Sequence, residues 1–131
     1  MRAASIWNNP NNYNYSQIPS DIAIPGNLII AQNPSNKTFH TMMISGFADK
    51  DYQYNFHGNK VYPVHKGDIL VNYSRGGNNQ SDFVNNIPLS VYLDNSEGKN
   101  KIRYYRYNYP DSVLLNEIKI IFMLDLTNNI L

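Results

Sequence analysis

Thr38-Phe39-His40-Thr41-Met42-Met43-Ile44-Ser45-Gly46-Phe47 is the stretch whose reading decides the fold. Its β-branched and apolar residues run unbroken to Gly46, which marks a strand. A charged turn, Ala48 to Asp51, follows. Tyr52 to His57 then alternates, with Tyr52, Tyr54 and Phe56 on one face and Gln53, Asn55 and His57 on the other, the period of a second strand.

The same reading extends outward. Upstream, Leu28-Ile29-Ile30-Ala31 is a short buried strand between two turn signals, Ile24-Pro25-Gly26-Asn27 and Asn33-Pro34-Ser35-Asn36. Downstream, Lys66-Gly67-Asp68 opens a strand over Ile69 to Tyr73, Arg75 to Gln80 is a Gly/Asn-rich loop, and Ser81 to Asn86 forms a short helical turn. Leu89 to Leu93 and Lys101 to Tyr107 suggest a hairpin around Asn95-Ser96-Glu97-Gly98. Ile118, Ile120, Phe122, Leu124 and Leu126 alternate as a half-buried strand facing the core. Residues 1–20 read as an irregular N-terminal arm, because Asn and Pro crowd the stretch from Trp7 to Ser20. No window of a dozen residues keeps helical spacing. The expectation is a mainly β chain (or α+β with minimal helix), built as an antiparallel sheet or small barrel, in a single domain spanning 1–131.

Composition narrows the function classes. The chain has 131 residues, 42% of them hydrophobic and only 16% charged, with a net charge of +1. A nucleic-acid module would show a strong basic excess, so no nucleic-acid partner is expected. There is no Cys, which excludes disulfides, thiolate metal sites and a cysteine nucleophile in this chain. Met1 to Pro10 lacks the apolar core of a signal peptide, and the longest apolar run, Ile118 to Leu126, is too short to span a bilayer. Localisation and oligomeric state are not legible.

Three His are candidates for chemistry: His40, His57 and His65. Their separations, 17 and 8 residues, match no compact metal-ligand motif, so neither a metal nor a cofactor is expected. If the strands of His40 and of Asn55 and His57 pair antiparallel, His40 meets one of those two side by side. A base oriented by an amide or a second imidazole is half of a nucleophilic triad. Surface or interface placement of these side chains is the alternative.

Pro25-Gly26-Asn27-Leu28-Ile29-Ile30, followed by Phe39-His40-Thr41-Met42-Met43-Ile44-Ser45-Gly46, resembles the His-bearing half of papain-like bacterial amidases, a group that includes the NlpC/P60 and CHAP domains. The resemblance covers residues 22–64. It implies the sheet half of a papain-like fold, with His40 as general base and Asn55 or His57 as its orienting partner. It departs from the family at two points. Asn27 stands where the family has Asp, and no Cys is available as nucleophile.

The second feature is a tyrosine cluster, Tyr104, Tyr105, Tyr107 and Tyr109, interleaved with Arg103 and Arg106. On a strand, Arg103, Tyr105, Tyr107 and Tyr109 share a face. Exposed Tyr supplies rigid amphipathic contact area; cross-strand packing is the alternative use. Two functions therefore stay open. One is a partial or degenerate papain-like amidase or peptidase relative, a hydrolase type acting on or binding cell-wall peptides. The other is a non-catalytic binding or assembly module that uses Arg103, Tyr104, Tyr105, Tyr107 and Tyr109 on a β surface. The partner would be peptidoglycan or a protein.

Overall fold

The computed structural model describes residues 3–56, 58, 60–74, 83–95, 101–109, 119–121 and 123–124. The chain is mainly β. Its elements are helix α1 (Ala3–Asn8), strands β1 (Tyr15–Ile18), β2 (Leu28–Gln32), β3 (Phe39–Phe47), β4 (Tyr52–Phe56), β5 (Lys60–Val64), β6 (Ile69–Ser74) and β7 (Phe83–Pro88), helix α2 (Leu89–Asn95) and strand β8 (Lys101–Tyr107). Six strands form one antiparallel sheet in the order β1-β8-β2-β3-β6-β7, and β4 and β5 form a separate two-stranded ribbon.

Each face of the large sheet buries apolar side chains against a different cover. One face carries Ile29, Ala31, Met42, Ile44, Val71 and Ile87, all buried, with Leu89 and Val91 of α2 packed on them. Tyr54, Phe56 and Tyr62 of the ribbon join the same cluster. Asp94 at the end of α2 ties the ribbon down: it accepts from Tyr62 Oη at 2.7 Å and pairs with Lys60 Nζ at 2.8 Å. The opposite face carries Ile30 and Tyr105, covered by Ile6 and Trp7 of α1 with Phe39, Leu28 and Tyr15 around them. Trp7 meets Phe39 edge to face at 5.5 Å. These placements follow from the strand period. In the β2–β3 register Ile29 lies opposite Met42, and in the β2–β8 register Ile30 lies opposite Arg103, so odd residues of β2 and even residues of β3 share one face.

Four sequence expectations need correction. The stretch expected as an irregular arm over 1–20 holds regular elements from Ala3 on: α1 packs on the sheet, and Tyr15–Ile18 is the edge strand β1. Burial of Ile6 and Trp7 outweighs the turn-forming Asn and Pro around them. Leu89–Asn95 is helix α2, not half of a hairpin, and β8 pairs with β1 and β2 instead. Phe83–Pro88 is strand β7 where a helical turn was expected. Residues 119–121 and 123–124 are helical, and Ile120 and Leu124 are exposed. Apolar Ile121 and Met123 interrupt the alternation there, so the helical period fits as well. Ile118, Phe122, Leu126, His57, the 75–80 loop and the 96–98 turn lie outside the described residues.

Candidate functional site

His40 sits on the β3 strand opposite Ala31 of β2, facing the main core. It stacks on Tyr92 of α2 (5.3 Å, 15° between planes) and meets Tyr73 of β6 edge on at 5.0 Å. Its Nε2 is buried and has no hydrogen-bond partner among the described residues. Burial pulls its pKa below the ordinary 6.5, because an imidazolium would lose its hydration there. β3 does not pair with β4, so the side-by-side meeting with Asn55 does not form. Asn55 lies opposite Val61 on the exposed, outward side of the ribbon, whereas Tyr54 and Phe56 face the core. Among the described residues, no group of three His, Cys, Asp or Glu gathers as a metal site.

The tyrosine strand divides by face and by depth. Tyr105 is fully buried, and its hydroxyl has no partner among the described residues. Tyr104 is half-buried against the main core, and burial raises its pKa. Arg103 lies over the Trp7 ring at 3.8 Å and donates to the Trp7 carbonyl at 3.2 Å, so it holds α1 to the sheet. Tyr107 and Tyr109 reach the surface, 38% and 55% exposed, with ring centroids 5.2 Å apart. Tyr15 faces Tyr107 across the β1–β8 ladder at 5.3 Å. The three rings form one stripe. The Tyr15 hydroxyl titrates above 10.0, first because of burial and then because Tyr107 and Tyr109 stand beside it.

This stripe borders a cleft of about 510 Å³ between the turn Ile24-Pro25-Gly26-Asn27 and the strand end Arg106-Tyr107-Asn108-Tyr109. That volume lies in the usual range for ligand sites. The backbone opens it. Gly26 adopts φ +93° and donates its N–H to the Ile44 carbonyl at 2.8 Å, while Ile44 N–H donates to Asn27 O at 2.9 Å. The two-against-one pattern is a β-bulge, and it ends the β2–β8 ladder at Leu28↔Tyr105. β8 follows β1 beyond that point, through Tyr15↔Tyr107 and an Asn108 N–H bond to Asn14 O at 2.7 Å.

Asn27, the one buried polar side chain among the described residues, fixes the turn by accepting from Ile24 N–H at 3.0 Å. Arg106 spans the floor. Its Nη2 donates to the Ile22 carbonyl at 2.6 Å and approaches Asn27 Oδ1 at 3.4 Å. Among the described residues Nε is buried without an acceptor and no carboxylate pairs with the guanidinium. A second hollow of about 610 Å³ is more open, and its charged residues, Asp49 and Lys50, are adjacent and of opposite sign. Tyr107 and Tyr109 are legible in the sequence as surface candidates, whereas Arg106, Asn27 and Pro25 are not legible as their neighbours. The Gly26-Asn27 turn signal was visible; its distance from residue 106 along the chain concealed the pairing.

The chain matches no family model, no curated protein and no solved structure. Among the described residues no helix is long and apolar enough to cross a membrane.

Proposed function

We propose that this chain is a non-catalytic binding module whose ligand site is the cleft between Pro25–Asn27 and Arg106–Tyr109. The observation that carries this reading is the exposed ring pair Tyr107–Tyr109, 5.2 Å apart at the mouth of a cleft floored by an arginine with no carboxylate partner among the described residues. Rigid aromatic area beside a cation is the usual composition of a recognition hot spot. The test is a titration of the 131-residue chain, isotopically labelled, with a panel of peptides and of soluble oligosaccharides, including peptidoglycan fragments. Shifts concentrated on the amides of residues 24–27 and 106–109 support the proposal. Ligand shifts confined to other surfaces refute it.

The amidase-type reading keeps one supporting observation: burial holds His40 neutral, the form a general base requires. No hydrogen bond to Nε2 from a nucleophile or orienting group is found among the described residues. Its test is hydrolysis of peptidoglycan and simple peptide amides, abolished by His40→Ala.

A further inference from the structure

From the backbone of the same cleft we infer that its ligand is an extended peptide segment, added as a short strand beside the end of β8, with an acidic residue directed at Arg106. This rests on the binding reading above and names the class of ligand.

Residues of an antiparallel strand turn their N–H and C=O alternately to the two neighbours. Asn108 N–H goes to Asn14 of the β1 side, so Tyr107 turns its own N–H and C=O the other way, toward the line of β2. In the β2–β8 register the residue due opposite Tyr107 is Gly26, two positions before Leu28. Gly26 instead directs its N–H to Ile44, on the far side of its own strand. The ladder thus stops one bonded pair short, and the next pair of backbone groups on β8 faces the cleft. A strand edge of this kind is satisfied by a chain in extended conformation, which supplies an N–H and a C=O in the same spacing. A sugar offers hydroxyls but no such repeat.

Side chains then set the pattern of the guest. A residue opposite Tyr107 lies on the Tyr107–Tyr109 face and packs on two rings. The next residue, opposite Asn108, lies on the other face, diagonal to Arg106 and within reach of a long side chain. The residue after that returns to the rings. The preferred segment is therefore apolar–acidic–apolar. The charge in the floor commits the central position: the Arg106 guanidinium has no carboxylate partner among the described residues, and a carboxylate is the acceptor its planar donors fit best.

The probe is the blocked peptide acetyl-Gly-Val-Glu-Val-Gly-amide, titrated against the labelled chain. It should shift the amides of Tyr107 and Tyr109. Changing its Glu to Gln should weaken binding by about tenfold, as expected for loss of a charge-assisted hydrogen bond. Methylating both valine nitrogens should weaken it by a comparable factor, because the ladder donors are gone. Raising the salt concentration should weaken the Glu peptide and leave the Gln peptide nearly unchanged.

Equal affinity for the Glu and Gln peptides would overturn the acidic specificity, and indifference to N-methylation would overturn strand addition. Shifts of the same amides by an oligosaccharide but not by the peptide would overturn this inference and leave the binding module standing. Shifts that appear only on concentrating the chain alone would assign the edge to a second copy instead. Response of neither ligand at the cleft, with binding elsewhere, would overturn both readings.

Discussion

Replacing Gly26 with alanine should destabilise the protein by about 1 kcal/mol, and the reason is conformational rather than steric. Gly26 adopts φ +93°, and a Cβ built there meets no heavy atom within 4 Å. The cost is thus the left-handed backbone itself, about 1–2 kcal/mol for a residue bearing a Cβ. Reduced freedom of the unfolded chain offsets about 0.4–1 kcal/mol of this. Gly46 is the internal control. A Cβ there also meets nothing within 4 Å, but its φ is not positive, so Gly46→Ala keeps the unfolded-state gain without the strain. The two variants should differ by about 1–2 kcal/mol. Urea unfolding followed by circular dichroism reads this as a midpoint lower by about 0.5–1 M for Gly26→Ala than for Gly46→Ala, with equal slopes. Because Gly26 directs its N–H to Ile44, the Gly26 variant should also shift the Tyr107 amide across the cleft. A Gly26→Ala protein as stable as Gly46→Ala would refute the claim that the positive φ holds the cleft open.

Other consequences follow from the buried groups. Tyr105→Phe should leave stability unchanged or raise it by about 1 kcal/mol, since it removes a buried hydroxyl with no partner among the described residues; a loss above about 1 kcal/mol in urea unfolding would mean that the hydroxyl is bonded. His40 makes stability pH-dependent: its folded pKa lies below 6.5, so the unfolded chain takes up a proton that the folded chain refuses. Its contribution is complete above 6.5 and is lost as pH falls from there through the lower folded value. His40→Phe, which keeps a ring against Tyr92 and Tyr73, should flatten the stability profile just below 6.5; an unaltered profile would show that His40 is not the responsible group.

Much of the sheet was legible because its strands carry a clear period. Leu28–Gln32, Phe39–Phe47, Tyr52–Phe56, Ile69–Ser74 and Lys101–Tyr107 lie within a residue of their expected positions. Pairing was not legible. Tyr52–Phe56 follows β3 in the chain, yet it leaves the sheet to form a ribbon with Lys60–Val64, a segment whose Pro63 disfavours a strand interior. That departure separates Asn55 from His40, and no local pattern announces it. α2 was misread because Leu89, Val91 and Leu93 alternate like a strand, while burial of Leu89 and Val91 on the sheet is achieved as a helix. For the site, the face shared by Tyr105, Tyr107 and Tyr109 was readable from alternation. Their depth was not, because it depends on α1, whose Ile6 and Trp7 cover Tyr105 and stop short of Tyr107 and Tyr109.

The most direct test of the account is the double variant Tyr107→Ala/Tyr109→Ala, titrated with whichever ligand shifts the cleft amides of the unaltered chain. The lost Tyr15–Tyr107 ring contact should cost about 0.5–1.5 kcal/mol of stability without changing the sheet, which the remaining amide shifts would verify. Two central aromatic contacts removed together should weaken binding at least about thirtyfold. Binding retained within about threefold on an intact fold would contradict the assignment of this cleft as the ligand site.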